Sequence, residues 1–577
     1  MSKNHTYGQI LKSSAMIGGS SVLKIAIGIV RTKAMAILLG PSGVGLMGLY
    51  GSITDLTNNM AGMGINNSGV RQIAAAVGSG DTENIALTAT VLRRISIFLG
   101  AFGAAFLILF SGPVSTFTFG NDQHAFAVAL LSLVVFFGTV SAGQEALIQG
   151  MRCISDMAKM GILGALFGTL ISITVIYFLR EEGVAPSLVL IAAMSLLTSW
   201  WYSRKIPIQT PSISASQLGQ EAGALLKLGF AFMVSGLLMA GAGYAVRLIV
   251  VREVGYDAAG LYQAAWALGG LYIGLILQAM GADFYPRLTA IANDNTECNR
   301  MVNEQAHVSL LLAGPGVLAT LTFAPLVIGL FYTPKFEGAV EILRWLCLGM
   351  TLRVISWPMG FIINAKGVQN LIIFSELAWA VVYLGLAWVC VSFFNLKGAG
   401  IAFFGSYIFH VLMIYLIVRR LSGFRWSTSN IHTSFLFLAL IAVVFCSFYT
   451  LPSLLALGVG TLAVLLSGVY SIQVLLNLIP INRIPRSLLN LFRYLRLVSI
   501  NSSEYNDLQS VINMTIGDTV VQNKLLVPLN RLIFAYMICI VFFMWVYWYA
   551  EMYGWSGRLL SFESGLGHLL KSGMLSD

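Results

Sequence analysis

Lys24 stands near the middle of an apolar run that extends from Ile10 to Val30. An unpaired ammonium inside hydrocarbon costs from a few to more than about ten kcal/mol, so Lys24 requires an anionic neighbour, a hydrated cavity or the phosphate of a bound molecule. Asp55, on the next apolar run, is a candidate for a structural pair with it. The two roles are compatible, because a carboxylate can hold a cation until an anion displaces it. Arg31 and Lys33 close the first run ahead of Gly40-Pro41-Ser42-Gly43. Such cations either snorkel to the membrane interface or, for Arg31 and its counterpart Arg247 in the second half, receive phosphate oxygens in a guanidinium fork. The glycine stretch lacks the G-x-x-x-x-G-K-[ST] pattern and reads as a tight turn between helices rather than a nucleotide loop.

Other polar residues interrupt apolar segments. Glu145 and Asp283 lie near the ends of such segments and Glu376 near the start of another; each could form a structural pair, gate a pathway or take a proton. Asn58, Asn59, Asn66 and Asn67 could bond sugar hydroxyls or tie neighbouring helices together. Gln144, Gln149, Tyr262, Gln263, Trp266, Tyr272 and Gln278 combine amides with aromatic faces, a set suited to a glycan, although aromatic rings also settle at membrane interfaces. The six cysteines and six histidines have no ligand or disulfide spacing, so no metal and no other cofactor is expected.

The elements that must position these groups follow from composition. Hydrophobic residues make up 57% and charged residues 10% of the 577, against about 25% charged in a soluble domain. The chain divides into about 14 apolar segments near the length needed to cross a bilayer: 10–30, 43–65, 86–110, 125–148, 160–179, 184–203, 224–250, 258–282, 306–332, 338–363, 369–393, 398–418, 431–450 and 452–478. This predicts an all-α integral membrane protein whose first segment is retained rather than cleaved. With the N-terminus cytoplasmic, most Lys and Arg of the breaks collect on the cytoplasmic side, as the positive-inside rule requires. That accounts for the net charge of +10 without a nucleic-acid partner, for which no basic polar module exists.

Residues 11–71 and 226–287 resemble each other. Gly40 and Gly45-Leu46 correspond to Gly255 and Gly260-Leu261 at an offset of 215, Leu11-Lys12 to Leu226-Lys227, and Met63-Gly64 to Met280-Gly281. Six crossings return the chain to its starting side, so a duplication of this kind gives two parallel-topology six-helix bundles plus additional C-terminal helices. The expected division is a first bundle over 1–204, a linker over 205–223, a second bundle over 224–418, a helix pair over 431–478, and a basic, polar tail over 479–577 in which 532–550 could form a further span.

The run Leu39-Gly40-Pro41-Ser42-Gly43-Val44-Gly45-Leu46-Met47-Gly48-Leu49-Tyr50, preceded by Val30-Arg31-Thr32-Lys33 and followed by Gly62-Met63-Gly64-Ile65 and Val70-Arg71-Gln72-Ile73-Ala74, resembles the O-antigen translocase or Wzx-type flippase family over roughly residues 8–480. The resemblance implies a polysaccharide transporter of the wider multidrug and polysaccharide exporter superfamily, in the bacterial inner membrane. It implies inward-to-outward flipping of an undecaprenyl-pyrophosphate-linked oligosaccharide, with a proton or sodium gradient as driving force and an O-antigen polymerase and chain-length regulator as partners. It places Arg31 at a cationic position near the cavity, whereas Lys24 and Asp55 rest on the physical argument above. The tail beyond residue 480 departs from the family pattern.

Three other functions fit parts of the pattern. An amphiphile or multidrug exporter shares the architecture, a noncatalytic scaffold of a polysaccharide assembly complex shares the helices, and a glycan polymerase or glycosyltransferase would need a sizeable extramembrane loop or converging carboxylates that the short breaks do not provide.

Overall fold

The computed structural model describes residues 3–151, 153–208 and 214–478; the expected extra span at 532–550 lies outside them. Sixteen helices and no strand are present among the described residues. They are α1 (Lys3–Gly62), α2 (Ile65–Ser79), α3 (Thr82–Leu109), α4 (Ser111–Phe119), α5 (Ala125–Gly150), α6 (Ile154–Leu179), α7 (Val184–Ser203) and α8 (Ala215–Val254). The remainder are α9 (Tyr256–Ala290), α10 (Asn295–Thr322), α11 (Ala324–Phe331), α12 (Ala339–Ala365), α13 (Gln369–Phe394), α14 (Lys397–Ser422), α15 (Thr428–Thr450) and α16 (Ser453–Leu478).

Local sequence sets where these helices stop and bend. Gly40 breaks α1 with φ 68° and ψ −170°, a conformation that only glycine adopts without strain, and Pro41 then restarts the helix in its favoured first-turn position. Gly255 alone separates α8 from α9, at φ 107°. Several helix starts carry side-chain caps that satisfy otherwise orphaned N–H groups: Asp81 for α3, Ser214 in a capping box with Gln217 for α8, Asp294 for α10 and Ser427 for α15.

Among the described residues, nine helical stretches are long and apolar enough to cross a membrane, or ten if α10 and α11, bent by 79°, count as one. One of the nine, Ser155–Ser203, holds α6 and α7, which pack on each other across a 3-10 turn at Arg180–Gly183. Outside this set stand α1, which is bent at Gly40 and carries Lys24, Arg31, Lys33 and Asp55, and α9, which covers the expected span 258–282. The molecule is therefore an all-α, multi-pass membrane protein. Large apolar side chains such as Phe98, Phe126, Phe178 and Phe393 point outward, where hydrocarbon rather than water is the natural solvent.

Helices through α7 pack mainly on one another, with α3 on α5, α5 on α7, and α1 on α6. From α8 onward, α12 packs on α14, α9 and α10, while α13 packs on α14 and α8. The added pair α15 and α16 lies against α10. Contact between the two parts of the chain runs chiefly through α1, α2 and α3 on one side and α8, α9 and α11 on the other.

Candidate functional site

The Gly40 and Gly255 corners meet. A Cβ on Gly45 would come within 2.6 Å of the Tyr256 carbonyl oxygen and 2.8 Å of the Gly260 nitrogen, and a Cβ on Gly260 would overlap the Pro41 carbonyl. Pro41 and Tyr256 match at the 215-residue offset, as do Gly45 and Gly260. Each corner therefore presents to the other the same element that it receives, the contact pattern of two units related by a twofold axis. Gly48 continues the seam against the Gln263 side chain.

Two cations bridge the parts of the chain beside these corners. Lys33 of α1 donates to the carbonyls of Gly329, at 2.8 Å, and of Tyr332, at and just past the end of α11. From α8, Arg252 donates to the Phe117 carbonyl in the last turn of α4 at 2.5 Å and lies over the Phe117 ring. The final carbonyls of a helix lack intrahelical partners and carry the negative end of its dipole, so both cations satisfy an unmet bonding need. Tyr256 adds a bond to the Phe119 carbonyl at 3.4 Å.

The charged residues that the sequence singles out divide between the first part of the chain, where Lys24 and Glu145 lie, and the space between the two parts, where Asp55 and Arg247 lie. Lys24 acts on Glu145 of α5, and a Cβ on Gly161 of α6 would overlap its ammonium. Asp55, exposed although it sits well inside α1, faces the field of Arg247 on α8. The field of Lys24 thus falls on Glu145 and that of Arg247 on Asp55, while neither Lys24 nor Asp55 is in ion-pair contact among the described residues; the first two segments belong to one bent helix whose legs address different neighbours. Arg247 is itself oriented by Gln263 at 2.9 Å and the Gly243 carbonyl at 3.2 Å. Arg31 buries its Nε without a partner among the described residues.

The remaining polar candidates divide by role. Gln144 accepts from Ser199 at 2.7 Å, and Ser199 and Glu145 both contact Ser141, so this set ties α5 to α7. Asn66 likewise bonds the Ala142 carbonyl of α5. Asn59 bonds back to the Asp55 carbonyl at 2.8 Å and touches Gly236 of α8. Asn58 keeps a buried Oδ1 without a partner among the described residues. Tyr262 is 1% exposed, its hydroxyl 3.1 Å from that of Tyr383, while Trp266 is edge-on to Phe403. Glu376 lies within bonding reach of Ser235 on α8 and keeps a buried, unpartnered Oε2. Asp283 and Gln278 fall on α9, but their side chains lie outside the described residues.

Sequence reasoning missed Arg353, whose guanidinium lies 5.5 Å from the Trp357 ring centre with a buried, unpartnered Nε, and the bridging role of Lys33 and Arg252. The helix ends that the two bridging cations address are distant in sequence, and no local spacing reports them. Among the described residues, no group of three or more His, Cys, Asp or Glu is placed to hold a metal ion.

Residues 34–341, more than half of the chain, match the family described as polysaccharide biosynthesis protein. The chain belongs to that family. The match spans both glycine corners, while Lys24, Arg31 and Lys33 precede it. Similar proteins include a lipid III flippase of Escherichia coli K12, 22% identical over 418 residues that cover 71% of this chain and 99% of the relative. A putative O-antigen transporter of Shigella flexneri is 24% identical over 388 residues, covering 62% of this chain and 91% of the relative. In structure, the chain is similar to an inward-facing multidrug resistance MATE family transporter, with a TM-score of 0.57 at 16% identity over 70% of this chain and 99% of that one. It is equally similar to the lipid II flippase MurJ in an inward closed conformation, with a TM-score of 0.57 at 14% identity over 80% and 99%. At these identities the structural likeness establishes the shared fold.

Proposed function

We propose that the chain flips a polyprenyl-pyrophosphate-linked oligosaccharide, of the O-antigen or lipid III kind, from the cytoplasmic to the periplasmic leaflet by alternating access. Two six-helix bundles, over residues 1–204 and 224–418, rock about the seam. The positive-inside distribution of Lys and Arg supports an N-terminus in the cytoplasm, with the glycine corners toward the periplasmic face of the inner membrane. The observation that carries the reading is the exposed Asp55 facing Arg247 between the two parts of an otherwise apolar molecule, with Lys24 and Arg31 on the neighbouring leg of α1. A pyrophosphate can take the place of Asp55 or Glu145 beside these cations, while the polyprenyl tail stays in lipid. No covalent bond changes, so the task is transport and not catalysis. Glu376, half-buried in the second bundle, is the candidate for coupling to a proton or sodium gradient. The named relatives, one a lipid III flippase and one a putative O-antigen transporter, support the substrate class.

The test reconstitutes the purified full chain in liposomes with a fluorescent pyrophosphate-linked oligosaccharide and measures leaflet transfer under imposed proton and sodium gradients. Acceleration over empty liposomes is expected. Transfer no faster than in empty liposomes, for every repeat unit of the native pathway, overturns the reading, and transport of small cationic amphiphiles in its place would assign the chain to drug export.

A further inference from the structure

A second cationic site lies away from the seam. Between α10, α12 and the added pair α15 and α16 is a cavity of about 200 Å³ lined by Thr322, Arg344, Phe448, Leu451, Ser453 and Leu457, among others. It sits near the corner face, since α12 begins only a few residues after the Tyr332 carbonyl that Lys33 holds. Arg344 places its guanidinium carbon 3.7 Å from the Phe448 ring centre, and its Nε is buried with no hydrogen-bond partner among the described residues. The Thr322 hydroxyl, on the same cavity wall, is equally buried and unpartnered. Leaving two such groups buried and unsatisfied is costly, because neither meets solvent where it stands.

Glu341, one turn earlier on α12, acts on Arg344 through its field but makes no hydrogen bond to it, since its direct partners are Lys397 at 2.7 Å and the Tyr449 hydroxyl at 3.0 Å. The cavity therefore offers one guanidinium and two hydroxyls, with Ser453 as the second, against apolar walls of Leu451, Leu457 and Phe448. Around its mouth, Leu454 and Leu455 at the start of α16 are outward-facing, in the position of lipid contacts. A ligand that matches has a compact anion with several acceptor oxygens, attached to something apolar.

We propose that this cavity binds the phosphodiester headgroup of an anionic phospholipid, with Arg344 donating to the phosphate oxygens, Thr322 and Ser453 completing the shell, and the acyl chains running along α16. The site is independent of the flipping cavity, and its occupant is a resident lipid of the leaflet at the corner face. It gives α15 and α16 a specific task, that of fastening the second part of the chain to the membrane around it.

The experiment uses the full chain in nanodiscs or detergent, titrated with phosphatidylglycerol, with phosphatidylcholine, and with inorganic phosphate alone, reading bound lipid by native mass spectrometry. Wild-type protein is expected to prefer phosphatidylglycerol over phosphatidylcholine. Arg344→Gln should lower that preference by about tenfold, the scale of a charge-assisted bond, and Arg344→Lys should keep most of it. Thr322→Val should lower it several-fold, and because it is nearly isosteric it serves if Arg344→Gln fails to fold. An unchanged preference in both Arg344→Gln and Thr322→Val overturns the site. Inorganic phosphate competing as strongly as the lipid overturns the phospholipid as occupant.

Discussion

The two cations that bridge the corners do the same work from places that do not match. Lys33 reaches from α1 to the end of α11, and Arg252 reaches from α8 to the end of α4. At the 215-residue offset Arg252 aligns with Ile37, one helical turn beyond Lys33. The glycines, by contrast, align residue for residue. The difference follows from what each contact demands. A backbone-to-backbone approach such as Gly45 on Tyr256 tolerates no Cβ and hence no displacement, whereas a long flexible cation can satisfy a helix terminus from either of two adjacent turns. Backbone contacts fix the register of the seam, and the side chains adapt to it.

The largest effect that can break this comparison is expected at the glycines. Gly260→Val, which drives a side chain into the Pro41 carbonyl, should separate the corners and reduce leaflet transfer by more than about tenfold, with Gly45→Val matching it; small-to-large changes in packed sites cost roughly 1–3 kcal/mol or more. Cysteines introduced beside the corners should become labelled from the outside in both variants. Wild-type transfer with a protected corner would show that the reciprocal contact is dispensable.

Next in size is the charged interior. Arg247→Ala should lower transfer about tenfold or more, equivalent to about 1.4 kcal/mol per decade, because it removes the counter-charge of Asp55 as well as the group oriented by Gln263. Lys24→Ala should also slow transfer, and Glu145→Gln should do so less. Equal transfer by Arg247→Ala and wild type at matched expression would remove the residue from the route.

The bridging cations come third. Lys33→Ala and Arg252→Ala should each shift the closed corner by about 0.3–2 kcal/mol, the range for a cation at a helix C-terminus. Arg252→Ala should have the larger effect, since it also loses the Phe117 ring. Double electron–electron resonance distances across the corners would read the shift, and identical distance distributions in wild type and both variants would count against a latch.

The smallest expected effect is one of pH. His124 is held below the usual imidazole range by burial, with Glu181 opposing, and lies 2.9 Å from the Tyr50 hydroxyl. A folded pKa below the unfolded one means that the stabilisation is present above the unfolded value of about 6.5 and is lost as pH falls through it toward the folded pKa. The melting temperature of wild type should therefore drop more between pH 7 and pH 5 than that of His124→Phe. Equal drops would show that His124 does not titrate against folding.

Much of the frame was legible in the sequence because hydrocarbon imposes a simple length rule on apolar segments, and because glycine at Gly40 and Gly255 marks a backbone geometry that no other residue adopts easily. The reciprocal contact of the corners follows the internal repeat that Gly45 and Gly260 announce. Charge partners were less legible. The field of Lys24 falls on Glu145 of α5, a relation across helices that depends on how α1 leans at its bend. The buried contact of Tyr262 with the Tyr383 hydroxyl joins residues far apart in the chain, which residue type alone does not report. Lys33 and Arg252 address helix ends far away in the chain, a relation that only the tertiary structure supplies.

The corners carry a mechanical consequence. With one residue, Gly40 or Gly255, joining two long legs, no slack loop exists to absorb a change of tilt. A tilt imposed on one leg must be passed to the other through a single peptide unit, or taken up by the dihedrals of that one glycine. Each corner is thus an elbow rather than a tether, and a short flexible insert at 40/41 or 255/256 should uncouple the legs while leaving both helices intact.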